Sequence, residues 1–123
     1  TDGKVILNYK DEKLGLIFKK NQKIKNAQWA PNYYTFCTND LGLKAKCNSK
    51  SSSFYKYAFI GDSFTDGIGL KYEDTFVGLF DENYGSTINF GISGTSPIIH
   101  LKRLKYLQEY SLFRQNQVKE LPQ

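Results

Sequence analysis

Histidine occurs once in this 123-residue chain and cysteine twice, which leaves little material for a metal centre. Cys37 and Cys47 have nine residues between them, which does not match the short Cys-x-x-Cys spacing of a zinc or redox site. No metal is therefore expected. In an oxidising compartment the pair would close a small loop, worth roughly 3 kcal/mol in the chain-entropy model; two independent thiols are the alternative. Long apolar runs are missing as well. Nothing approaches the ~18 consecutive apolar residues of a membrane span, so no integral membrane segment is expected. The opening "TDGKVILNYK" lacks the apolar core and cleavage pattern of a signal peptide, so the chain is either cytoplasmic or has already lost a leader. Internal repeats are absent too.

What is present suffices for one modest core: 40% of residues are hydrophobic and 15% aromatic, which argues against wholesale disorder. Charge is uneven along the chain. Residues 1–57 carry 11 Lys and Arg against 4 Asp and Glu, net +7, whereas residues 58–123 carry 6 against 8, net −2. The lysines of "FKKNQKIKNAQ" are interspersed with polar residues and form no dense tract, so a solvated face is expected rather than a polyanion site. A nucleic-acid partner is not expected, because no recognition motif accompanies the charge.

"KVILNY" and "LGLIF" are short runs rich in β-favouring residues and are read as peripheral strands. "NAQWAPNYYTFCTNDLGLKAKC" combines Pro31, an Asn-Asp turn and clustered aromatics without helical period, and is read as extended chain and loop. Packing onto a main sheet is the expected use of Trp29, Tyr33, Tyr34 and Phe36, with stacking on bases or sugars as the alternative. "CNSKSSS", Cys47 to Ser53, reads as a polar linker. Beyond it the texture changes. "FYKYAFI" predicts a strand ending at Gly61, "DTFVGLFDENYG" a helix with Phe76, Leu79 and Phe80 at helical spacing and a stop at Gly85, and "STINFGIS" a second strand. "SPIIHLKRLKYLQEY" predicts the clearest helix, with Ser96 as N-cap, Pro97 at the first position and an apolar stripe of Ile98, Leu101, Leu104 and Leu107. This alternation predicts an α/β fold with a parallel sheet and functional loops at the carboxyl ends of its strands.

At that edge stands "YAFIGDSFTDGIG". A serine hydroxyl becomes a nucleophile only when a base takes its proton and donors await the developing oxyanion. Ser63 follows a strand at a sharp turn, where its hydroxyl would project from the sheet edge and its own N–H could meet an oxyanion. Gly94 follows the next strand, where the lack of a side chain lets a second N–H approach the same point. Other uses of glycine-rich turns do not fit. "GISGTSP" lacks a P-loop lysine, "GDSFTDGIG" lacks the Gly-x-Gly-x-x-Gly spacing, and Ser63 lacks the Gly two residues on of an α/β-hydrolase elbow.

"AFIGDSFTDGIGL" with "TFVGLF", followed by "TINFGISGTSP", resembles the first two sequence blocks of the SGNH (GDSL-type) serine hydrolases, a superfamily of esterases, lipases, thioesterases and carbohydrate deacetylases. "DEKLGLIFKKN" and "CTNDLGLKAK" resemble the lead-in of a bacterial subgroup, so the likeness spans roughly Asp11 to Tyr110. The resemblance implies a three-layer α/β/α sandwich with a parallel, flavodoxin-like sheet, incomplete in this chain. Residues 1–53 would then be a basic, loop-rich N-terminal extension with short strands, and residues 54–123 the first βαβα part of the hydrolase domain. Ser63 matches the nucleophile, Gly94 the block-two oxyanion-hole glycine, and Asp62 the block-one Asp that supports the turn. The implied reaction is ester hydrolysis or O-deacetylation through an acyl-serine, without metal or organic cofactor. Its substrate would be a small-molecule or glycan ester, and the setting periplasmic or secreted. Oligomeric state is not implied.

Two family elements have no counterpart in the chain. Neither the Asn of the third block nor the Asp-x-x-His that supplies the base follows Tyr110. His100 has Pro97 three residues before it instead of Asp and reads as an ordinary helix residue. Asp66, Glu73 and Asp74 read as solvated loop acids, with Asp74 or Thr75 capping the following helix. The base is thus expected on further chain, the alternative being an inactive SGNH-like module that binds an acylated glycan or a partner protein.

Overall fold

The computed structural model describes residues 5, 7–11, 15–52, 55–92 and 97–109. Its elements run β1 (Leu7–Asp11), β2 (Gly15–Phe18), β3 (Lys23–Trp29), β4 (Asn32–Cys37), β5 (Tyr57–Gly61), α1 (Ser63–Asp66), a 3-10 turn (Tyr72–Asp74), α2 (Phe76–Tyr84), β6 (Thr87–Gly91) and α3 (Pro97–Glu109). The fold is mixed α/β. Two antiparallel hairpins, β1–β2 and β3–β4, accompany one parallel pair, β5–β6.

Strand alternation sends successive side chains to opposite faces, and in the parallel pair each face meets a different neighbour. Ala58 pairs with Ile88 and Ile60 with Phe90, and these four look toward the core that the hairpins share. Ile17, Phe18, Ile24, Ala27, Phe36 and Leu43 supply that core from the first half of the chain, so residues on both sides of the 47–53 linker bury one another. Full burial of each large side chain stabilises by about 1.5–3 kcal/mol. On the opposite face, Tyr57 and Phe59 meet α2: the Phe59 ring lies 5.1 Å from that of Phe80 and 5.7 Å from Phe76, and Tyr57 lies 4.9 Å from Phe80, all edge-on. β6 is buried along its length, whereas β5 is only half-buried.

Some expectations hold and others need correcting. Ile17 and Phe18, expected on a peripheral strand, are core residues. The segment from Lys23 to Cys37, whose aromatic part is expected as extended chain and loop, is a hairpin, and the lysines Lys19, Lys20, Lys23 and Lys25 are exposed as expected. Its aromatics divide: Phe36 is buried, Tyr34 half-buried, and Trp29 and Tyr33 exposed. Cys37 and Cys47 are joined as a disulfide, with Cα atoms 5.1 Å apart. The α2 helix forms where expected, with the Thr75 hydroxyl accepting from the Gly78 N–H at 3.0 Å, but Val77 and Gly78 face inward while Phe76 and Leu79 are half in solvent. The stripe expected to anchor α3 is only partly inward: Leu104 is half-buried, while its first two members lie in solvent. Ile98 is 72% and Leu101 55% exposed, whereas Arg103 is wholly buried. Its guanidinium donates to the Phe90 carbonyl at 2.9 Å, and burial pulls its pKa down to about 10. Ser96, the expected cap, lies outside the described residues, as does the side chain of Leu107.

A candidate nucleophile turn

β5 ends at Gly61, and the chain turns through Asp62 into the single turn of α1, which Ser63 opens. The Asp62 carboxylate accepts from the Phe64 N–H at 3.2 Å, satisfying one of the donors that a helix start leaves without a partner. At the other end the Ser63 carbonyl accepts from Gly67, at 2.9 Å, and from Ile68, at 3.4 Å. Gly67 holds φ at +70°, the left-handed conformation that ends a helix and that glycine adopts without penalty. Residues 61–68 are thereby fixed as one compact turn.

Two glycines decide how close that turn lies to the sheet. Gly61 and Gly91 pair in register at the carboxyl ends of β5 and β6. A Cβ at Gly61 would strike the Thr65 side chain, and one at Gly91 would strike the backbone of Thr65 and Asp66. Only bare backbone at both positions lets α1 sit across the two strand ends. Asn89, 3% exposed, fastens the contact: its side-chain amide donates to the Thr65 carbonyl at 3.2 Å while its oxygen accepts from the Gly91 N–H at 2.7 Å. "GDSFT" and "NFG" thus form one unit.

The Ser63 hydroxyl is half-buried and makes no hydrogen bond to another described residue. Gly94, the second donor expected from the sequence, lies outside the described residues. His100 is half-buried on α3. Among the expected solvated acids, Asp74 is exposed and Glu73 half-buried, but Asp66 is a buried residue with a structural partner.

That partner is Lys44, which sequence reasoning did not single out. Its side chain is 1% exposed and that of Asp66 7%, with Nζ 3.6 Å from Oδ1. The ammonium also donates to the carbonyls of Asp66 (2.9 Å), Gly67 (3.1 Å) and Leu70 (2.6 Å). The rings of Tyr34 and Phe36 lie 5.5 and 5.6 Å from it, within cation–π range. Burial pushes the Lys44 pKa down and Asp66 opposes the shift; burial and the Asp66 charge together push the Tyr34 phenol up. Lys44 thus ties the turn after Ser63 to the hairpin segment of the chain. The ion pair spans 22 residues of sequence, and only the fold brings its members together.

Among the described residues, no group of three or more His, Cys, Asp and Glu side chains is placed to hold a metal ion, and no helix is long and apolar enough to cross a membrane. Comparison with protein-family models, curated proteins and solved structures found no match to this chain.

Proposed function

We propose that this chain carries the nucleophile portion of an SGNH-type serine ester hydrolase, with Ser63 attacking the ester carbonyl to form an acyl-serine. The observation that carries the reading is the pairing of Gly61 with Gly91 beneath α1, which sets a half-buried, uncommitted hydroxyl at the carboxyl edge of two parallel strands. Ligands of open α/β sheets bind at that edge. Asp62 acts as a support of the turn rather than as a base, since its carboxylate caps α1. Gly94 is proposed as the second oxyanion donor, on the strength of its place in "GISGTS". The base is assigned to an Asp-x-x-His on chain beyond Gln123, because the one histidine, His100, has Pro97 where that motif needs Asp.

In this reading the complete sheet is the middle layer of an α/β/α sandwich, of which β5 and β6 are the first two strands. The Cys37–Cys47 bridge supports a periplasmic or secreted setting, where disulfides persist. The substrate is a small-molecule or glycan ester. That the one histidine of the sequence stands outside an Asp-x-x-His favours a second reading, an inactive module that binds an acylated glycan or a partner protein through the same edge. Assay of the full-length protein on aryl acetates decides between them. Hydrolysis that falls at least a hundredfold in Ser63→Ala, with folding intact, upholds the hydrolase; turnover that is absent from the wild type favours the binding module.

A further inference from the structure

Beside the Ser63 turn lies a cavity of about 140 Å³, walled by Phe18 from β2, Tyr34 and Phe36 from β4, Asp66 and Ile68 from the end of α1 and its loop, and Ile92 just past β6. Phe18, Phe36 and Ile92 are fixed walls, at most 3% exposed, and the first two rings meet edge-on at 4.9 Å. Ile68, 36% exposed, and the half-buried Tyr34 form the side that reaches solvent. Apart from Tyr34 the polar member is Asp66, already engaged by Lys44. A volume of roughly 150 Å³ is enough for a benzene-sized apolar guest.

The walls are joined to the backbone of the Ser63 turn. The Ile68 N–H donates to the Ser63 carbonyl at 3.4 Å, and the Ile92 N–H donates to the Gly61 carbonyl at 3.2 Å. Asp66 stands three residues beyond Ser63, about 5 Å along the axis of α1 at 1.5 Å per residue. Resting on the assignment of Ser63 as the attacking group, we propose that this cavity receives the acyl chain of the ester, with room for about six carbons between its fixed walls. The first half of the chain then contributes to specificity directly, through Phe18, Tyr34 and Phe36.

The test uses full-length protein and fluorophosphonates whose phosphorus-bound alkyl group, standing in for the acyl chain, is methyl, butyl, hexyl or decyl. The serine oxygen bonds to phosphorus as fluoride leaves and the serine proton passes to solvent. In the wild type, inactivation is expected to be fastest with butyl or hexyl and at least tenfold slower with decyl. Ile68→Trp, which fills the open side, should lower the hexyl-to-methyl rate ratio at least tenfold, and Ile68→Ala, which enlarges it, should move the optimum toward decyl. Ile68 is partly exposed, so both variants are expected to fold. Labelling of Ser63 with a length profile that neither variant alters would overturn the cavity assignment and leave the nucleophile standing. No labelling of Ser63 by any probe would overturn both.

Discussion

Replacing Lys44 by Met tests whether the turn after Ser63 is held from the other half of the chain. Met keeps the length and apolar stem of the side chain but removes the ammonium. Its loss leaves the Asp66 carboxylate, 7% exposed, without its cation, and removes the donor from the carbonyls of Asp66, Gly67 and Leu70. Breaking a buried pair from one side costs about 3–5 kcal/mol. A buried acceptor left without a donor adds about 1–3 kcal/mol, and the low end applies at Leu70, which is 45% exposed and where water can reach the carbonyl. A loss of about 4 kcal/mol is therefore expected, measured by urea denaturation at neutral pH. The one tryptophan of the chain provides a local readout, since a Cβ at Gly69 would lie 2.7 Å from the Trp29 ring and that ring thus packs directly on the loop. Its emission should shift in Lys44→Met before global unfolding. Adding Asp66→Leu should recover part of the loss, because removing both members of a buried pair costs less than removing one. A loss below about 1 kcal/mol with unchanged Trp29 emission would refute the reasoning.

Other consequences are simpler to state. Gly91→Ala sets a methyl against the backbone of Thr65 and Asp66, so it should destabilise by about 1–3 kcal/mol and impair Ser63 chemistry by more than its effect on folding explains; wild-type activity in a folded Gly91→Ala would contradict the seating of α1. Tyr72 donates to Asp81 at 2.9 Å, and burial with that carboxylate raises its pKa above the ordinary 10.0. Above pH 10 the folded chain therefore holds a proton that the unfolded chain has lost, and stability falls as pH rises through that window. Tyr72→Phe should make the alkaline slope shallower by up to about 1.4 kcal/mol per pH unit, with the contributions of Lys44 and Arg103 the same in both proteins. Replacing Cys37 and Cys47 together by Ser should lower stability by roughly 3 kcal/mol, read from the denaturation midpoint; an unchanged midpoint would argue against a bridge that constrains the unfolded chain.

The elements of the second half were legible because local signals and tertiary demands agree there. β5 and β6 are short apolar strands stopped by glycine, and Thr75 is a cap whose role follows from its position before α2. The β3–β4 hairpin was legible only as extended chain, for an identifiable reason. Its inward residues Ile24 and Ala27 stand three apart, because the register slips between them, and the slip destroys the period-two alternation that marks a strand. The α3 helix was found but its face was misjudged: Ile98 and Leu101 lie outward while Arg103 is buried on the Phe90 carbonyl, an interaction no hydropathy pattern encodes. Asp66 was misread for the same kind of reason, since its environment depends on Lys44. Ser63 and Asp62 were legible as a turn because the glycine before them and the cap after them are local features.

The most direct measurement concerns the hydroxyl itself. Full-length protein is treated with a fluorophosphonate, digested and mapped by mass spectrometry. The account predicts one stoichiometric adduct on the peptide that contains Ser63, absent from Ser63→Ala. An adduct on another residue, or active ester hydrolysis that persists in Ser63→Ala, would contradict it.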